Sequence, residues 1–184
     1  TCQKYDLRLF IDGARLGYGL VSAACDYDLP FLAKHCDVFY IGGTKVGAMM
    51  GEAVVFSGMK APKYFFTNVK RHGALLAKGR MLGIQFDTLF TDELYFKISR
   101  HAIAMATRIR SIFEKHGIAI AYDSPTNQQF VVLSPALYEA LSQKVAFEIW
   151  ERKSEHEIIC RFVTSWATKE EELDELDRIL QAYA

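Results

Sequence analysis

The chain has 184 residues, enough for one domain or for one domain plus part of another. Its composition, 51% apolar and 24% charged, is that of an ordinary globular protein, and no apolar run is long enough for a membrane-spanning helix. The 22 basic side chains balance 22 acidic ones, so no overall field favours nucleic acid or an anionic membrane. The opening residues, Thr1 to Arg8, are polar and do not resemble a signal peptide. The apolar run Leu7-Arg8-Leu9-Phe10-Ile11 then reads as a buried strand. A central strand needs neighbours on both sides, so a sequence that starts with one is expected to be part of something longer. Asp12-Gly13-Ala14-Arg15 is a tight strand-to-helix turn, leading into a short helix over 16–24. Asp28 followed closely by Pro30 is an N-cap signal for a helix to about His35. Val38-Phe39-Tyr40-Ile41 and Ala53-Val54-Val55-Phe56 are two further strands, separated by the glycine-rich segment from Gly42 to Gly51. Strand, helix, strand with short connections predicts an α/β fold with at least one parallel pair.

A helical region opening at Pro62 is broken near Gly73 and Gly79. The longest helix is expected from Asp92 to Lys115, with Leu94, Ile98, Ile103, Ala106, Ile109 and Phe113 on its apolar face and Gly117 as its stop. Beyond it the character changes. Short strands are expected at 118–122, 130–133, 147–150 and 158–163, with a helix over about 135–143. A last helix starts at Thr168, with Glu171 completing a capping box. This second part reads as a small α+β domain.

The four cysteines, Cys2, Cys25, Cys36 and Cys160, show neither C-x-x-C spacing nor a zinc-finger histidine partner. They are expected to be free thiols of a reducing cytoplasm. No metal site is expected.

The chemistry centres on Lys45, which follows a strand in a glycine-rich turn between apolar flanks. Partial desolvation lowers a lysine pKa and makes a nucleophile or Schiff-base former; the alternative is a solvated lysine on a surface turn. Asp12 ends the preceding strand, and carboxyl ends of parallel strands are where open α/β sheets bind ligands. A carboxylate there and a lysine beyond the next strand suit pyridoxal 5'-phosphate (PLP), which needs an amine to hold it and an acid to keep its pyridine nitrogen protonated. Asp12 as a plain helix N-cap is the competing possibility. The Walker order is absent from Gly42-Gly43-Thr44-Lys45, as are G-x-G-x-x-G and G-x-S-x-G elsewhere.

Five segments, in order, resemble the threonine aldolases, fold-type I PLP enzymes. Ile11-Asp12-Gly13-Ala14-Arg15-Leu16 is similar to the family's D-G-A-R-L, and Gly43-Thr44-Lys45-Val46-Gly47-Ala48 to its Schiff-base segment. Arg80-Met81-Leu82-Gly83-Ile84, Pro125-Thr126-Asn127 and Arg161-Phe162-Val163-Thr164-Ser165-Trp166 match later motifs. The resemblance implies the C-terminal part of such an enzyme: residues 1–112 from the PLP-binding large domain, with a mixed, mostly parallel sheet, and 113–184 as a small α+β domain. It implies Lys45 as the catalytic, cofactor-bearing lysine and Asp12 on the pyridine nitrogen. Thr44 and Arg80 would reach the phosphate, Arg15 would sit beside the cofactor and help hold the substrate carboxylate, and Arg161 would be the main carboxylate clamp. The implied reaction is retro-aldol cleavage of β-hydroxy-α-amino acids to glycine and an aldehyde, by a cytoplasmic homo-oligomer acting on a small amino acid. The family's stacking histidine and phosphate-binding loop precede D-G-A-R and have no counterpart among the 11 residues before Asp12. A β-eliminating lyase on the same scaffold and a non-catalytic oligomerisation module are the alternatives.

Overall fold

A computed structural model of the chain describes residues 1–183. Its contacts group into two compact units, one made of Thr1–Leu20 with Cys25–Ile98, the other of Val21–Ala24 with the chain from Ser99 onward. That division and the expected boundary at 112/113 both fall within one helix, Leu94–Lys115.

The first unit carries a three-stranded sheet in the order β1 (Phe10–Ile11), β2 (Val38–Gly42), β3 (Glu52–Phe56). β1 and β2 run parallel and β2 and β3 antiparallel, so the sheet is mixed. Between β1 and β2 lie α1 (Leu16–Leu20) and α2 (Leu29–His35). α2 starts as expected: the Asp28 carboxylate accepts the Phe31 amide at 2.8 Å, and Pro30 sits in the first turn, where no helical donor is lost. β1 and α1 are both shorter than their patterns. Leu9 gives β2 only its carbonyl, which accepts the Asp37 and Val38 amides, while its own amide donates to the Asp37 carboxylate; α1 stops at Leu20. After β3 come α3 (Phe65–Arg71) and α4 (Arg80–Phe90), the break between them containing Gly73 at φ 74°.

The long helix α5 spans Leu94–Lys115. Its start differs from expectation. Asp92 and Glu93 stand at φ 50° and 57°, left-handed values that side chains rarely adopt, so regular helix begins only at Leu94. Its buried positions from Ala102 onward are Ala102, Met105, Ala106, Ile109, Ile112 and Phe113, an i, i+3, i+4, i+7 stripe. That stripe is shifted from the expected face, since Leu94 is exposed and Ile103 only half-buried.

In the second unit, β4 (Ile120–Tyr122), β5 (Gln128–Leu133), β6 (Glu148–Arg152) and β7 (Ile158–Val163) form an antiparallel sheet ordered β4-β5-β7-β6. α6 (Pro135–Ser142) and α7 (Glu170–Gln181) accompany it. Alternation sets the faces. Val131, Leu133, Ile158, Cys160 and Phe162 join Ile109, Phe113, Leu173, Leu176 and Leu180 in the core, while Gln128, Phe130, Arg161 and Val163 occupy the opposite face. α7 begins one residue late. The Thr168 hydroxyl accepts the Ser165 amide, so Lys169 becomes the cap and its amide donates to Glu172 at 3.0 Å.

Candidate active site

In the first unit the turn after β1 docks on the end of β2. The Gly13 carbonyl accepts the amides of Leu16 and Gly42, the latter at 2.9 Å. The approach is close enough to demand glycine: a Cβ on Gly13 would lie 1.7 Å from the Tyr40 carbonyl oxygen, and one on Gly42 2.4 Å from the Ala14 carbonyl oxygen. Asp12 is thereby held at the mouth of the parallel pair. Its carboxylate accepts the Ala14 amide at 3.0 Å and the Tyr40 hydroxyl. These two donors, the phenol foremost, hold the Asp12 pKa below the usual carboxylate value, and the positive charges of Lys45 and Arg15 add to the effect. Tyr40 responds in the opposite direction, its phenol pushed up to about 12 chiefly by the same hydrogen bond.

The loop after β2 folds back on itself, with the amides of Val46 and Ala48 both donating to the Gly43 carbonyl. Val46 is completely buried and anchors the loop, whereas Thr44 and Lys45 on either side of the bend are exposed. The Lys45 carbonyl accepts the Tyr18 hydroxyl, and Gly47 at φ 93° lets the chain turn. The Lys45 ammonium has no hydrogen bond or ion pair among the described residues. The partly desolvated lysine expected from its apolar flanks is thus not what these residues build. Phe39, Ile41, Val46 and Ala48 turn inward, whereas Met49, Met50 and the lysine itself are exposed.

Glu52, opposite Gly42 on β3, accepts the Gly43 amide at 2.7 Å and, more weakly, the Thr44 hydroxyl at 3.4 Å. Tyr95, fully buried, links the two site-bearing segments: its hydroxyl accepts the Gly17 amide and donates to the Gly42 carbonyl, each at 3.0 Å. Burial drives the Tyr95 pKa up, so the phenol remains a donor. α4 is tied to the loop through Gln85, whose side-chain carbonyl accepts the Met49 amide at 2.7 Å. Arg80, the first residue of that helix, is exposed and has no partner among the described residues.

Asp12, Arg15, Thr44 and Lys45 are therefore brought together around the ends of β1 and β2, as their order in the chain implies. Arg161 lies in the second unit, on β7. Its guanidinium donates to Gln128 at 3.0 Å, pairs with Glu148 and rests 5.3 Å from the centre of the Trp150 ring. Asn127 is buried and donates its side-chain amide to the Thr164 carbonyl, joining the start of β5 to the end of β7, a structural role. Sequence reasoning missed Tyr18, Tyr40, Glu52 and Tyr95. Only Tyr40 left a signal, through strand alternation that places it on the same face as Gly42.

No family model matches the chain. A low-specificity L-threonine aldolase of a Pseudomonas species is 28% identical over 183 residues, 99% of this chain and 52% of that protein. A threonine aldolase of Leishmania major superposes with a TM-score of 0.94 at 36% identity, over 99% of this chain and 53% of that one. An SPT solved with PLP as its internal aldimine matches at a TM-score of 0.65 and 13% identity, over 98% of this chain and 48% of that one, a likeness of fold alone. The chain spans about half the length of the relatives it matches. The chain thus has the fold of the type I PLP enzymes and is similar in sequence to the C-terminal part of the low-specificity threonine aldolases.

Proposed function

We propose that the protein to which this chain belongs is a PLP-dependent lyase that cleaves β-hydroxy-α-amino acids to glycine and an aldehyde. The observation that carries the proposal is the pairing at the strand ends: an Asp12 carboxylate held ionised by Tyr40 and Ala14, within electrostatic reach of the unpartnered Lys45 ammonium. This donor set fits PLP. The lysine is a primary amine without a hydrogen bond or ion pair among the described residues, the aspartate is kept charged by donors that persist without a ligand, and Arg15 and Arg80 form no ion pair among the described residues. Kinship with threonine aldolases supports the choice of reaction.

When bound, PLP supplies an electron sink for the pair released by bond cleavage. The Lys45 Nζ would be the amine that holds it, and Asp12 would keep its pyridine nitrogen protonated. Arg80 and Thr44 serve the phosphate. Glu52 stands beside Thr44, but its contact with that hydroxyl is long and easily exchanged. Arg15 and Arg161 are the guanidiniums that the resemblance to threonine aldolases gives to the substrate carboxylate, where they would orient the bond to be broken. The same reading makes the protein a cytoplasmic homo-oligomer, in keeping with its four free thiols among the described residues. No described helix is long and apolar enough to cross a membrane.

The test is reduction of the PLP-loaded, full-length protein with borohydride and peptide mass spectrometry, followed by turnover with threonine. The label belongs on Lys45 alone, absent in Lys45→Ala, and threonine releases acetaldehyde and glycine. 2-Oxobutanoate and ammonia instead would mean elimination, and an unlabelled Lys45 would end the PLP assignment.

A further inference from the structure

Arg161 sits in the middle of its sheet, on β7 between β5 and β6. Its side chain is 18% exposed, while that of Glu148, directly across on the edge strand β6, is 67% exposed. The guanidinium is fixed on two sides by groups that are not anions. Nη1 donates to the Gln128 side-chain carbonyl at 3.0 Å, and the Trp150 ring lies under the plane, itself 5.2 Å from Phe130. Glu148 meets only Nη2. The adjacent Nε is shut off from solvent without any acceptor. A guanidinium edge prefers to give Nε and Nη2 together to both oxygens of one carboxylate. Here the resident carboxylate uses half of that edge and leaves a buried donor orphaned, a costly arrangement in a folded protein.

We infer that Glu148 is an exchangeable counter-ion that occupies the Arg161 carboxylate site in the free protein and gives it up to an incoming carboxylate. The inference rests on the reading that Arg161 receives a ligand carboxylate. Two features make the exchange favourable. Glu148 has no other bond among the described residues and stands largely in water, where an ion pair contributes little and release costs little. A small monocarboxylate meeting the whole edge satisfies the orphaned Nε as well as Nη2. Gln128 and Trp150 keep the guanidinium in place throughout, so the site is preorganised and only the anion changes. Glu148 thus acts through Arg161, setting the affinity for the carboxylate end of a ligand.

The probe is acetate, which has no amino group and so needs no cofactor to bind. Its dissociation constant is measured on the full-length protein through Trp150 fluorescence, with Trp150→Phe establishing which part of the signal comes from that ring. Glu148→Gln, which keeps the shape and removes the competing charge, tightens acetate binding about three- to five-fold, the size of a modest ion pair. Glu148→Asp restores weaker binding, and Arg161→Gln abolishes it. A purely structural Glu148 would leave affinity unchanged or weaken it on substitution, and either result overturns the inference. So does acetate binding that survives Arg161→Gln. Threonine turnover is scored separately: its absence with the acetate series intact sinks the proposed reaction and leaves the exchange standing, and the reverse outcome sinks the exchange alone.

Discussion

Replacing Tyr95 by phenylalanine removes a single oxygen atom, and the structure shows what that oxygen holds. It accepts the Gly17 amide and donates to the Gly42 carbonyl, both at 3.0 Å, with Tyr95, Gly17 and Gly42 all buried. The ring stays in place, stacked on Phe90 at a centroid distance of 5.1 Å, so no cavity of consequence opens. The loss is that of two backbone partners. A buried amide left without an acceptor costs about 1–3 kcal/mol, and a carbonyl that loses one of its donors about 0.5–1.5 kcal/mol. Together the first unit is destabilised by about 2–4 kcal/mol. The assay is denaturant unfolding of wild type and Tyr95→Phe in the full-length protein, read as a shift of midpoint at constant slope. Labelling of Lys45 by PLP and borohydride, measured alongside, falls because Gly42 leads directly into the lysine loop. A stability change under about 0.5 kcal/mol would refute the argument, since it would mean that water or a backbone shift replaces both bonds.

Gly13→Ala is expected to cost about 3 kcal/mol or more, because its Cβ would press to 1.7 Å on a backbone oxygen that no rotamer change moves. Gly19→Ala in α1 meets nothing within 4 Å and is expected to be neutral or to stabilise by about 0.5–1 kcal/mol; thermal melts of the pair that come out alike would refute the close docking of the first turn. Asp12→Asn changes the titration of Tyr40. A phenol whose folded pKa of about 12 exceeds the ordinary 10.0 contributes stability that is complete below pH 10 and lost as pH rises through about 12. The Asp12 pKa is depressed, so its contribution is present above pH 3.8 and lost as pH falls through the folded value. In the Asp12→Asn variant, which lacks the carboxylate, ultraviolet difference spectra show the Tyr40 transition moved back towards 10, while the smaller effect of burial remains. A transition that stays near 12 would show that Asp12 is not its cause.

Much of this molecule is legible in the sequence because its signals are local. The α2 cap at Asp28, the Gly117 stop at φ 69° and the alternation of β5 and β7 each depend on residues within a few positions of one another. Asp12 and Lys45 are legible for the same reason: each follows a strand at a glycine turn, and β1 and β2 being parallel places both at the same end of the sheet. What the tertiary structure alone decided is how these residues are held and charged. Tyr95 reaches Gly17 from 78 residues away, Tyr40 reaches Asp12 from 28, and Glu148 faces Arg161 only because β6 pairs with β7 in that register. The outward turn of Lys45 belongs to the same class, since apolar flanks are equally compatible with a lysine buried among them or pushed away from them. Periodicity and propensity record the environment of a residue along its own segment. A hydrogen bond or counter-ion drawn from a distant segment leaves no such trace, because it is chosen by packing and register rather than by neighbours in the chain.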